Sequence, residues 1–407
     1  MQCDVLVIGA GPAGCCAAMS AAKSGVKVIG VEKKFQITSP LRGGEAVCKP
    51  FYDELLEDVT CLKKVPRWEK RGTVLQTKYC TVVSQEEKWK AYLLERRAME
   101  RVLYEEAANA GAEMMLGSEV LDLKFKNGLV SEAVVRTYNG VKRIRPKIVI
   151  AADGFASLAR KLLKINKPCK DWASAIEFEM VGVNFSEKEF LQVFFMEEIP
   201  GGYSYIFHKT GGRGLTGVAS RPLFDKIETA ISKFNKVINK YEVLSRQLKN
   251  ATFIDIRGGC IDVSGPLENP VHGNVALVGD AANHNFAYIG EGLIPSIVAA
   301  KIAGEKAAES ISGGTHIISE YPVEYKKLPL WRELVQTLKI KDNIDELIYK
   351  NIDVKLKLIL EVFLEMEVFE WSGRELPNAL EYKSTDELIK FGKDLASTKN
   401  MSLEIME

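Results

Sequence analysis

Residues 4–8, Asp-Val-Leu-Val-Ile, form a short apolar, β-branched run that stops at Gly9-Ala10-Gly11-Pro12-Ala13-Gly14. Such a run reads as a buried parallel strand, and the Ala-rich stretch from Ala13 to Ser24, ended by Gly25, as the helix after it. Val26 to Val31 is the returning strand, closed by Glu32. A GxGxxG string alone is a weak signal. Set between a strand and a helix, with an acid 18 residues beyond its last glycine, it specifies a dinucleotide-binding βαβ unit. Gly9 takes the tight turn, Gly11 lets backbone approach a pyrophosphate, and Gly14 lets helix pack close on strand. The helix N-terminus turns unpaired N–H groups and positive dipole towards the phosphates. Glu32 is placed to accept from ribose hydroxyls, and its charge disfavours a 2′-phosphate, so NADP is not expected here.

A second anchor decides which dinucleotide is held. Val275-Ala276-Leu277-Val278 is another apolar run, ending in Gly279-Asp280-Ala281-Ala282, and Gly290-Glu291-Gly292 opens a later helix reaching about Ser312. FAD is long enough to need both hooks. Asp280 would accept from the ribityl hydroxyls, and the amides at Gly290–Gly292 would face the flavin N1–O2 edge. No second GxGxxG follows a strand, because Gly211-Gly212-Arg213-Gly214 reads as a hairpin turn. A separate nicotinamide domain is therefore not expected, and electrons come from an external donor: NAD(P)H, ferredoxin or a deazaflavin.

Between these anchors the pattern changes. An amphipathic helix is expected over about Leu93 to Gly111, with strands at Glu113–Phe125, Val130–Tyr138 and Lys147–Ala152. Ala173–Phe185, Gln192–Met196, Tyr203–His208 and Arg213–Ala219 are β-branched or aromatic runs that predict an antiparallel sheet. Phe224 to Leu248 reads as one or two helices, and the chain beyond Tyr325 as largely helical. With 407 residues, two or three units are expected. We place a discontinuous nucleotide domain at 1–50, 90–165 and 255–325. A substrate domain falls at 51–89 and 166–254, and a C-terminal helical region at 326–407. A formal net charge of +1 gives no electrostatic case for nucleic acid, so Lys236 to Lys249 reads as a solvated helix face. The eight cysteines contain no CxxC pair, which argues against zinc or a disulfide framework, and no metal site is expected. There is no secretory pattern and no apolar stretch of the roughly 18–20 residues a membrane span requires. We expect a cytoplasmic protein. The helical spacing of apolar residues over 344–369 reads as a packing face or as a peripheral contact with the inner membrane surface.

These residues resemble the FAD-dependent group that includes p-hydroxybenzoate hydroxylase, and within it the geranylgeranyl reductases, over about residues 1–330. The resemblance is carried by the glycine loop with Glu32, by Ser39-Pro40-Leu41-Arg42-Gly43-Gly44-Glu45 and by Arg96. Ala152-Asp153-Gly154, Gly279-Asp280-Ala281-Ala282 and Gly290-Glu291-Gly292 complete it. It implies an α/β fold, a Rossmann-like FAD-binding domain of the p-hydroxybenzoate hydroxylase type with an inserted antiparallel sheet and a C-terminal helical region. It also implies an FAD site formed by Gly9, Gly11, Pro12, Ala13, Gly14, Glu32, Lys33, Arg42, Gly43, Gly44, Arg96, Val120, Asp153, Gly154, Asp280, Ala281, Gly290, Gly292 and Leu293.

The reductases' aromatic stretch corresponds to Tyr203-Ser204-Tyr205-Ile206-Phe207-His208, with Tyr205 in place of a Trp and His208 in place of a Pro. A cysteine usual before the Gly-Glu pair is here Gly44, with Cys48 four residues on, and Asn285-Phe286-Ala287-Tyr288 replaces the usual Asp-Pro. The implied reaction is hydride transfer from reduced flavin to the carbon–carbon double bonds of a polyprenyl lipid, either geranylgeranyl groups on ether phospholipids or geranylgeranyl diphosphate. Phe194, Phe195, Tyr203, Tyr205 and Phe207 would line an apolar tunnel whose aromatic faces stabilise cationic character, unless their alternation is simply that of a sheet core. Tyr203, Tyr205, Cys48 and His208 are the candidate proton donors. Two other readings share the cofactor domain: a monooxygenase or halogenase acting on a small aromatic, and a non-catalytic binder of prenylated partners.

Overall fold

The structure, a computed structural model, describes residues 1–165, 170–224, 228–349, 359, 362, 385–397 and 401–405. The chain opens with β1 (Gln2–Ile8), α1 (Pro12–Lys23), β2 (Val28–Val31), β3 (Ala46–Cys48) and α2 (Lys49–Asp58). Then come β4 (Arg67–Lys70), β5 (Gly72–Gln76), β6 (Cys80–Ser84), β7 (Ala91–Leu94) and α3 (Arg96–Asn109). They are followed by β8 (Glu113–Met115), β9 (Glu119–Lys126), β10 (Leu129–Thr137), β11 (Gly140–Ala151) and α4 (Leu158–Leu162). The second sheet's strands are next: β12 (Trp172–Val181), β13 (Phe190–Phe194), β14 (Tyr203–Thr210) and β15 (Arg213–Ser220). After α5 (Ala230–Lys240) and α6 (Glu242–Leu248) lie β16 (Thr252–Asp262), β17 (Val271–His272) and β18 (Val275–Leu277). The described chain ends with α7 (Leu293–Gly313), α8 (Tyr321–Lys327), α9 (Pro329–Tyr349), α10 (Thr385–Ser397) and β19 (Met401–Ile405).

One eight-stranded sheet runs β17-β18-β11-β1-β2-β8, with β10 antiparallel to β11 and β9 to β10. Its centre, β18-β11-β1-β2, is parallel and apolar on both faces, which requires both faces to be covered. α1 and α7 cover one face with small residues. A Cβ on Gly304 would stand 2.5 Å from the Ala17 carbonyl oxygen, so the two helices meet backbone to backbone. The β9–β10 hairpin covers the other face through Val120, Leu123, Val130 and Val135.

The second sheet also has eight strands, ordered β16-β12-β15-β14-β13-β5-β6-β19. Phe178, Met180, Phe194, Ile206 and Val218 bury one face beneath Phe234, Val237 and Leu244 of α5 and α6. The opposite face packs in part on Leu93, Ala46 and Trp68 of the small sheet β3-β7-β4.

Three expectations change here. β16 pairs with β12 along its whole length, so the boundary placed at residue 255 falls after Asp262 instead. The start of the helix expected from Leu93 is strand β7, because Ala91–Leu94 is fully buried between β3 and β4, and the helix begins at Arg96. Among its described residues, the C-terminal region contains β19, which pairs with β6, as well as helices. Most of the amphipathic stretch at 344–369 lies outside the described residues.

Candidate active site

The glycine corner has the geometry its spacing demands. Gly9 sits at φ +95°, and a Cβ there would lie 2.3 Å from the Ala152 carbonyl oxygen. A Cβ on Gly14 would lie 1.9 Å from the Gly9 carbonyl oxygen, whereas one on Gly11 would meet nothing within 4 Å. Gly9 and Gly14 therefore close the corner on itself, and Gly11 leaves a side open. Pro12 follows as the first helical residue, where its missing N–H costs nothing. Glu32 braces the corner. One carboxylate oxygen accepts from the Ala10 N–H at 2.8 Å and the other from the Lys34 N–H at 2.9 Å. A carboxylate has about four lone-pair sites, so two remain for hydroxyl donors.

Distant segments meet beside this corner. The Arg96 guanidinium donates to the Gly44 carbonyl at 3.3 Å and to Glu100 at 3.2 Å, and it lies 3.5 Å from where a Gly43 Cβ would be. Asp280 feels both Arg96 and Arg42. Burial pushes its carboxyl up, and the two guanidinium groups pull it back. Burial likewise pushes Glu291 up to about 7, against the N–H groups of Ile294 and Leu293 that its oxygen accepts at 3.1 and 2.6 Å. Its other oxygen is buried without a hydrogen-bond partner. An open glycine edge at one end and a half-satisfied carboxyl with two guanidinium groups at the other suit a long, anionic, hydrogen-bonding cofactor.

The second sheet presents two cross-strand rows to this region. One row, Gly259–Ala175–Ala219–Tyr203, is uncharged and small except at its end. Tyr203 donates its hydroxyl to the Ile289 carbonyl at 2.5 Å, next to Gly290, and packs edge-on against Phe195. The next row is Arg257–Glu177–Gly217–Tyr205. A Cβ on Gly217 would stand 2.6 Å from the Tyr205 hydroxyl oxygen, so the missing side chain lets the phenol reach across β15. It donates to Glu177 at 2.8 Å. The same Glu177 oxygen lies 3.8 Å from a Cβ built on Gly44.

Glu177 belongs to a buried ionic network that sequence reading missed. Arg257 meets Glu45, Glu177, Glu179 and Asp255. Lys209 meets Glu45, Glu95 and Glu179, Arg213 meets Glu95 and Glu179, and Arg97 meets Asp255. Glu45, Glu95, Glu177, Glu179 and Asp255 make five carboxyls against the four cations Arg97, Lys209, Arg213 and Arg257. Burial pushes Glu177 up to about 7. Arg257 opposes the rise and Glu45 adds to it.

The sequence matches the FAD binding domain family over residues 2–228. It is 32% identical to a digeranylgeranylglycerophospholipid reductase of Methanothrix thermoacetophila, covering 82% of this chain and 84% of that one. A reductase of the same name from Methanococcus aeolicus is 29% identical over 96% of this chain and 97% of its own length. This chain belongs to the digeranylgeranylglycerophospholipid reductase family. It is an FAD-dependent oxidoreductase. The crystal structure of a geranylgeranyl bacteriochlorophyll reductase-like protein from Thermoplasma acidophilum superposes with a TM-score of 0.77 at 26% identity, covering 97% of this chain and 99% of that one. A flavin-dependent brominase shares the fold at 17% identity and a TM-score of 0.66.

Set against this reductase family, the aromatic and acid–base expectations divide. Tyr203 and Tyr205 share the face turned to the cofactor motifs. Phe194 does not, because its place on β13 turns it to the opposite face, into the core under α5 and α6. Phe207 shares the face of Tyr203 and Tyr205 and lies with Tyr205 between the sheets beside Leu93 and Leu215, the two rings stacked at 4.6 Å. His208 faces away. Its ring nitrogens meet the Lys188 and Gly211 carbonyls, its ring packs on Phe185, and burial lowers its pKa. Cys48 ends β3 as the N-cap of α2 in the small sheet. Among the cofactor residues, Val120 points into the core, Asp153 accepts from the Ala159 N–H of α4, and the Leu293 N–H is taken by Glu291. Lys33 is exposed, Ala281 is buried, and Gly154 and Gly290 hold positive φ.

Proposed function

We propose that the protein saturates the carbon–carbon double bonds of geranylgeranyl chains on a glycerophospholipid, using the face between the second sheet and the Gly290 loop. The observation that carries this reading is the uncharged row Gly259–Ala175–Ala219–Tyr203, tied to the Ile289 carbonyl beside a cofactor motif. A polyprenyl chain offers no hydrogen bonds, so a floor of glycine and alanine suits it, and each methylene buried there contributes about 0.8 kcal/mol. In this reading Gly9, Gly11 and Gly14 hold the pyrophosphate at the N-terminus of α1, and Glu32 accepts from the ribose. Arg42, Arg96 and Asp280 hold the middle of the cofactor. Bound FAD, once reduced, supplies the hydride. The Tyr203 ring stabilises positive charge developing on the chain, and the sheet excludes water from it.

The electron donor is external in this proposal, docking transiently. No described helix is long and apolar enough to cross a membrane, so a membrane-embedded lipid would be met from the surface. The test is incubation of dithionite-reduced holoprotein with digeranylgeranylglycerophospholipid in mixed micelles, followed by mass spectrometry. Each saturated bond should add one H2 to the lipid. An unchanged lipid, with oxygen consumed on a small aromatic instead, would sink the proposal in favour of a monooxygenase.

A further inference from the structure

We propose that Glu177 is the proton reservoir of the reduction and that Tyr205 delivers its proton to the alkene. This rests on the alkene-saturating reading above, and goes beyond it by naming where the second hydrogen comes from.

Saturating one double bond takes a hydride, carrying both electrons, and a proton. A tyrosine alone is a poor source, since burial and the neighbouring Glu177 hold its phenol well above its ordinary value. Releasing a proton from it would leave a buried phenolate. The Glu177 contact removes that obstacle. When Glu177 carries a proton, its carboxyl O–H donates to the phenol oxygen, and the phenol O–H is free to turn outward. As one alkene carbon takes the hydride of reduced flavin, the other takes the Tyr205 proton, and the Glu177 proton moves onto the phenol oxygen. The phenol is restored, and Glu177 is left as a carboxylate facing Arg257. Glu177 then regains a proton from water on the exposed Gly44 side.

Charge counting identifies this carboxyl as the one that keeps a proton. With five carboxyls on four cations, one acid in the network has no full counter-charge. Glu45 and Glu179 each meet two or more cations, whereas the ion pair of Glu177 is with Arg257 alone, at 3.3 Å. The groups facing Glu177 are Arg257 on β16, Tyr205 and Lys209 on β14, and Glu45 before β3. None of them is an acid with fewer cationic contacts. The pair is also placed for the task. Glu177 borders Gly44, and Tyr205 shares its strand face with Tyr203, which touches Ile289 beside Gly290.

The deciding experiment uses FAD-loaded protein. In the substrate-free protein near pH 6, the infrared difference between wild type and Glu177→Gln should contain a protonated-carboxyl band, shifted in D2O, and the difference between Tyr205→Phe and Glu177→Gln should keep it. With flavin content unchanged, both variants should saturate lipid at least about 100-fold more slowly under pre-reduced conditions. The wild-type rate should fall as pH rises through about 7, and Glu177→Gln should lack that limb. No band difference between wild type and Glu177→Gln overturns the proposal, as does a Glu177→Gln rate and pH profile like the wild type. If Glu177→Gln loses FAD, Tyr205→Phe decides, and a retained rate there overturns the relay. Wild-type protein that leaves the lipid unreduced defeats the proposed function, while the infrared result still stands on its own.

Discussion

Gly11 and Gly14 stand three residues apart in one loop, yet an added methyl should act on them in different ways. On Gly14 it would collide with the Gly9 carbonyl, forcing α1 away from β1. We expect Gly14→Ala to lower the thermal midpoint of the flavin-free protein as well as abolishing flavin retention. On Gly11 the methyl meets no protein atom and projects where backbone would approach a pyrophosphate. Gly11→Ala should leave the flavin-free midpoint unchanged while weakening FAD binding at least about tenfold, roughly 1.4 kcal/mol. Calorimetry of the stripped protein and FAD titration separate the two. Such residues are legible in a sequence because they are demands of the backbone. Glu177 was not. In Ile176-Glu177-Phe178-Glu179-Met180 the alternation reads as an apolar inner face and a solvated outer one. The structure buries both, the acids against Arg257 and Lys209. The available signal was two acids at alternate positions of an interior strand, with a single Lys or Arg on each of three other strands, Lys209, Arg213 and Arg257.

At the scale of the element, the start of α7 departs from what its motif implies. Gly290-Glu291-Gly292 suggests bare amides facing a ligand, but Glu291 folds its own carboxyl back onto the Leu293 and Ile294 N–H groups. That group has a pH consequence. Its pKa rises from 4.5 to about 7 on folding, chiefly through burial. Between those values the folded protein holds a proton that the unfolded chain has released, so stability falls as pH rises across the window and levels off above it. The loss is about 3 kcal/mol from this group. Glu291→Gln keeps an oxygen for the two amides and removes the titration. Its loss of stability between pH 5 and pH 8 should be smaller than the wild type's by about that amount, measured by urea unfolding at each pH with FAD in fixed excess. An equal loss in both proteins would show that Glu291 does not hold its proton.

The whole molecule is assembled from contacts far apart in sequence, and these were the least legible. β19 lies beside β6, and β16 pairs with β12 across three intervening strands and two helices of sequence. Short runs such as Thr81–Ser84 and Met401–Ile405 carry no local mark of their partner. A buried ionic cluster performs the same long-range joining. Arg221, just after β15, donates to Asp171 at 3.0 Å and to Asp345 of α9 at 2.6 Å, and Lys341 of α9 reaches both acids at 3.1 and 3.0 Å. Two cations face two buried acids, while the third acid on Lys341, Asp342, is exposed to solvent, so the buried part of the cluster is balanced and removing one of its members leaves an uncompensated buried charge. Arg221→Leu should therefore cost about 3–5 kcal/mol. Removing Asp345 as well leaves Asp171 and Lys341 as a neutral pair. The double variant Arg221→Leu/Asp345→Leu should consequently be more stable than Arg221→Leu alone, a non-additivity expected only within one network. Thermal unfolding of the single and double variants decides it. If the two losses simply add, α9 is held to the second sheet by apolar packing, and the charges are passengers.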